Sequence, residues 1–152
     1  MDEFIAMCDA ANELKKCWEP RRGDRYYLKN DLYFTPDEKL SPIKGYKLYR
    51  KEGVYVISCN FDFGTKKDQD TIRQQSFWLP RQEEIQRLLK NRMGTNSSLI
   101  VNFKGFAFSY GRVNKYSMDA LWLMFYYFEI HSKIWDGEKF KKVEKDLVGV
   151  WS

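Results

Sequence analysis

One uninterrupted apolar run sets the strongest constraint on this chain: Ala120-Leu121-Trp122-Leu123-Met124-Phe125-Tyr126-Tyr127-Phe128. Ser117 stands where an N-cap belongs and Asp119 falls in the first turn, so the run reads as the middle of a long helix. Glu129 and His131 close it at about half the length a bilayer-spanning helix needs. A helix that is apolar on all sides and too short for a membrane has to be covered, either inside a core or at a subunit contact. The rest of the chain must supply that cover.

Its length of 152 residues suits one domain, and the sequence predicts a single domain over 1–152. Apolar and charged residues make up 43% and 31%, which excludes a collagen-like or wholly disordered chain. The acidic start, Met1-Asp2-Glu3-Phe4, is followed by no apolar run, so no secretory leader is expected and the expected compartment is cytoplasmic. No membrane association is expected. Three cysteines, Cys8, Cys17 and Cys59, cannot all pair within the chain. They form no CxxC or Cys/His cluster, and no metal site is expected.

Phe4, Cys8, Ala11, Leu14 and Trp18 recur at helical spacing and predict an N-terminal helix over 4–18, stopped by Pro20 and Gly23. Residues 25–28 and 31–35 read as short aromatic strands, and 36–45 as a loop. Residues 46–61 read as a hairpin turning at Lys51-Glu52-Gly53. A polar loop is expected at about 62–75. Ser76 to Leu79 forms a strand leading into a middle helix, with Pro80 at its first position, Glu83 and Glu84 in the first turn and Gly94 as the stop. Leu99 to Phe103 and Phe106 to Tyr110 read as a second hairpin around Lys104-Gly105. The expected class is α+β: short, mostly antiparallel strands with an N-terminal helix, a middle helix and a long buried C-terminal helix.

Signatures of hydrolases and nucleotide-binding enzymes are missing: there is no GxSxG, Walker loop, GxGxxG or HExxH. The single histidine, His131, sits near a helix C-terminus, where interaction with the dipole accounts for it. No catalytic residue and no cofactor are expected. Charge is more informative. Between Arg81 and Lys115 seven basic residues (Arg81, Arg87, Lys90, Arg92, Lys104, Arg112 and Lys115) face only Glu83 and Glu84, so this window alone holds the chain's net +5. With Phe106, Tyr110 and Tyr116 nearby, such a zone suits an anion or a nucleic-acid strand. A solvated helix face is the plainer alternative. Arg21 and Arg22, on a turn with Gly23 and Asp24, form a second candidate, because two guanidinium groups on a tight turn can grip a carboxylate or phosphate.

Three stretches carry a resemblance: Trp18-Glu19-Pro20-Arg21-Arg22-Gly23-Asp24; Trp78-Leu79-Pro80-Arg81-Gln82; and Ser117-Met118-Asp119-Ala120-Leu121-Trp122-Leu123 with Lys133-Ile134-Trp135-Asp136-Gly137-Glu138-Lys139. In this order they resemble a family of small proteins encoded by bacteriophages and prophages of Gram-positive bacteria. The resemblance spans residues 4 to about 140 and departs from the pattern at the polar stretch 62–75. It implies a phage context inside a bacterial host cell and no particular chemistry. The expected function is that of a small non-enzymatic accessory protein which binds, inhibiting a host defence factor or sequestering a small anionic ligand. A nucleic-acid-binding protein of phage replication or regulation is the alternative, and a homo-oligomer is a further expected form. The binding residues expected are Trp78, Arg81 and Gln82 at the strand-to-helix joint, where free N–H groups of a helix start could meet an anion, together with Arg21, Arg22, Asp24 and Arg112. Arg81 bracing Asp24 is the structural alternative.

Overall fold

The computed structural model describes residues 3–29, 45–49, 53–57, 73–93, 96–110 and 115–143. The fold is α+β, as expected, and the chain's contacts cluster into two compact units. One comprises Ala11 to Leu79; the other comprises Asp2 to Ala10 with Pro80 to Ser152.

In the first unit, α2 (Asn12–Cys17) precedes a four-stranded antiparallel sheet of order β2-β3-β1-β4, with β1 Arg25–Leu28, β2 Gly45–Tyr49, β3 Val54–Ile57 and β4 Ser76–Trp78. The hairpin expected over 46–61 is β2 and β3, with Tyr46 opposite Val56 and a register shift between Lys47 and Tyr49. Gly53 closes it at φ +64, a left-handed conformation that disfavours any residue with a side chain. All four residues of β3 are buried. Tyr26, Leu28, Tyr55 and Ile57 form a core with Trp18, and Trp78 packs against it. The strand expected at 31–35, the loop at 36–45 and most of the polar stretch at 62–75 lie outside the described residues, as does Cys59.

The second unit is built around α5 (Met118–His131). Every residue from Ala120 to Phe128 is buried, and α1 (Glu3–Ala10), α3 (Gln82–Met93), α4 (Asn96–Tyr110) and β5 (Lys133–Trp135) pack against it. The apolar run thus finds its cover inside its own unit and needs no subunit contact for it. Ser117 caps the helix by accepting the Ala120 N–H at 3.1 Å. It ends at Ser132, whose left-handed backbone returns its N–H to the Phe128 carbonyl. Beyond it β5 pairs with β6 (Phe140–Lys142). Asp136 Oδ1 accepts the Glu138 and Lys139 N–H groups, each at 2.8 Å, and Lys141 Nζ lies 3.0 Å from Oδ2. The backbone donors, first that of Lys139, hold this exposed carboxyl well below the usual carboxylate range.

Two sequence expectations fail here. The N-terminal helix is broken at Ala11 (φ −83, ψ 66), between α1 and α2. Alanines are strong helix formers, so propensity does not break it. Phe4, Ile5, Met7 and Cys8 bury in the second unit, whereas Leu14 and Trp18 bury in the first, and tertiary packing overrides local preference. The hairpin expected over 99–110 is a helix, α4. Ile100-Val101 and Lys104-Gly105 imitate a strand and a turn. Leu99, Phe103 and Phe106, however, fall on one helical face, where Phe103 stacks on Trp122 (centroids 3.7 Å apart, planes within 5°) and Phe106 meets Phe125 and Phe128 at 5.5 and 5.4 Å. A two-stranded ribbon cannot present those three side chains to α5 together.

Candidate functional site

The residues singled out from the sequence divide between the two units. Asp24 in the first is buried, with 9% of its surface exposed, and its Oδ2 accepts the Trp18 indole N–H and the Arg21 backbone N–H, each at 2.9 Å. Gly23, at φ +92, makes the turn that aims it inward. Asp24 is a staple between the end of α2 and the start of β1. Arg21 and Arg22 are exposed on the same turn. Arg21 pairs loosely with Glu19 at 3.7 Å, both side chains mostly in water, a contact of little energetic weight. Trp78 stacks parallel to Trp18 at a centroid distance of 6.4 Å. Burial, with Tyr55 beside it, pushes the Tyr26 phenol above its ordinary range, so it stays protonated.

Arg81 and Gln82 belong to the second unit. Helix α3 begins at Gln82, two residues later than Pro80. Arg81 is its N-cap: its carbonyl accepts the Ile85 N–H at 3.0 Å, and its own N–H donates to Glu84 Oε1 at 3.0 Å. The same oxygen lies 3.5 Å from the Arg81 guanidinium. This is half of a capping box, with a local ion pair added. Glu84 thereby engages the N–H and the guanidinium of Arg81, and Glu83 adds a second negative charge to the first turn. Arg112 lies outside the described residues.

Sequence reading passed over a different feature. Between α3, α4 and the start of α5 lies a groove of about 620 Å³. Buried Leu99 and Trp122 form its base, half-exposed Ile100 and Met118 stand at its sides, and Gln82, Glu83, Arg87 and Lys90 reach it from α3. Alongside it, α4 shows a second apolar face to solvent: Ile100 is 50% exposed, Val101 59%, Phe108 88% and Met118, at the start of α5, 50%. Ile100, Lys104 and Phe108 are four residues apart and share one side of the helix. These are the large hydrophobic side chains left in water among the described residues. The signal was present in the composition of α4, which is apolar on both sides, but the false hairpin concealed it. Of the basic window, Arg87, Lys90, Lys104 and Lys115 are exposed, and among the described residues no ion pair engages Arg87, Lys90 or Lys104.

Among the described residues no group of three or more His, Cys, Asp and Glu could hold a metal ion, and no helix is long and apolar enough to cross a membrane. No family model matches the chain, and comparisons with curated proteins and with solved structures give no match either.

Proposed function

We propose that this chain is a small, non-enzymatic accessory protein of phage or prophage type that binds a host protein through the outward face of α4 and the groove beside it. The observation that supports the reading is the exposure of Ile100, Val101 and Phe108 on α4, with Met118 exposed across the groove from Ile100. Apolar side chains concentrated in that way mark contact sites. An aromatic ring that contributes nothing to its own core is a fitting anchor for a partner. The alternative, a nucleic-acid-binding protein, draws on the same exposed Arg87, Lys90 and Lys104, but phosphates have no use for the apolar half of the surface.

The test uses full-length protein immobilised in lysate of a Gram-positive host. Wild type is compared with an Ile100→Ser/Phe108→Ser variant whose far-ultraviolet circular dichroism matches. The reading expects a defined host protein retained by wild type and lost from the variant. Identical retained sets, or retention of nucleic acid alone that fades steeply between 50 and 200 mM salt, would overturn it.

A further inference from the structure

We infer that the groove between α3 and α4 receives an amphipathic α-helix with acidic flanks, contributed by the partner protein. The inference rests on the reading of this surface as a binding face and names the chemistry of what it binds. The site is concave, with buried Leu99 and Trp122 at its base and Ile100 and Met118 beside them. The face of α4 from Ile100 to Phe108 runs for about 12 Å, two helical turns. That span accepts the i, i+3/i+4, i+7 anchors of a second helix.

Charge selects among helices. Arg87 and Lys90 project from α3 at the rim, and Lys104 stands between Ile100 and Phe108 on α4. Among the described residues Glu83 is the one acid that lines the groove. Among the described residues these three cations have no ion-pair partner, so an incoming carboxylate displaces none. A second copy of this chain would bring the same cations and a net charge of +5 to the contact. A flat anionic bilayer cannot reach the base of a groove, and a phosphate backbone leaves Ile100 and Met118 uncovered. An acidic amphipathic helix satisfies both the apolar base and the basic rim.

The experiment is selection of a displayed library of helical peptides, each about 20 residues so that helices can form, against the full chain. Wild type should enrich peptides with apolar residues at i, i+3/i+4, i+7 and Asp or Glu on the flanks. The best peptide, made synthetically, should bind Arg87→Glu/Lys90→Glu and Ile100→Ser at least tenfold more weakly than wild type. Exchanging its acids for Lys should restore binding to the charge-reversed variant. Enrichment of basic or uncharged peptides, no enrichment at all, or equal binding to the charge-reversed variant would each overturn the inference. So would tighter binding of anionic vesicles, of single-stranded DNA or of a second copy than of the best peptide. Capture of a host protein lost with Phe108→Ser, alongside an empty selection, sinks this inference and leaves the functional reading standing. Acidic helices bound in the groove, with host capture indifferent to Phe108→Ser, do the reverse.

Discussion

Replacing Asp24 by alanine removes the acceptor of two hydrogen bonds at once, and the structure says how unequal the two losses are. The Trp18 indole N–H is buried with its ring 2% exposed, so water cannot replace Oδ2 there. A buried donor left unsatisfied costs about 1–3 kcal/mol, toward the upper end when its acceptor was ionised. The Arg21 N–H belongs to an exposed residue and can turn to water, so its loss costs about 0.5–1 kcal/mol. Part of this is returned because a carboxylate no longer has to be desolvated. The net expectation for Asp24→Ala is a loss of about 2–3 kcal/mol, or a melting temperature lower by roughly 4–12 °C for a chain of this size. Asp24→Asn keeps one acceptor oxygen and should lose about 1 kcal/mol. Urea denaturation followed by circular dichroism and tryptophan fluorescence measures both. Trp18→Phe completes the cycle: it removes the donor, so Asp24→Ala should cost less in its background than in wild type, by about 1 kcal/mol or more. An Asp24→Ala protein within 0.5 kcal/mol of wild type, or a cycle without coupling, would refute the staple.

Other expected outcomes follow from the packing. Phe103→Ala empties the stack against Trp122 and should cost about 3–5 kcal/mol in the same denaturation assay. A cost below about 1 kcal/mol would mean that α4 is not anchored by that ring. Gly53→Ala forces a side chain into a left-handed backbone and brings its Cβ to 3.0 Å from the Leu28 carbonyl oxygen, so it should destabilise by about 1–2 kcal/mol, whereas a neutral result would contradict the left-handed backbone and close approach at Gly53.

What the sequence made legible was whatever depended on local chemistry. The Ser117 cap, the burial of Ala120 to Phe128 and the hairpin turning at Gly53 follow from hydroxyl capping, apolar composition and backbone handedness. What it hid depended on neighbours distant in the chain. Ile100-Val101 favours a strand until Trp122, Phe125 and Phe128 are present to receive Phe103 and Phe106. Nothing in the segment 106–108 marks Phe106 as fully buried and Phe108 as 88% exposed; the aromatic face of α5 decides that. The structural contacts of Trp78 and Arg81 were hidden in the same way. Trp78 stacks in one unit, and Arg81 caps a helix in the other through Glu84.

A pattern emerges in the three quoted stretches. Trp18, Gly23 and Asp24 make a staple, Arg81 a helix cap, Ser117 another cap, and Trp135 with Asp136 a tied turn, in which the Trp135 indole N–H also donates to Glu3 at 2.8 Å. These are fold-determining contacts. Ile100, Val101 and Phe108 lie outside every one of the quoted stretches.

The central claim is that one face of α4 holds the protein together while the opposite face is reserved for a partner. The dissociation constant of the captured host protein, measured for wild type and for Phe108→Ser beside their urea unfolding curves, tests it most directly. The account predicts unfolding midpoints that coincide and a Kd at least tenfold weaker for Phe108→Ser, the loss of an anchor worth about 1.4 kcal/mol or more. An unchanged Kd, or a Phe108→Ser protein destabilised as a core substitution would be, contradicts it.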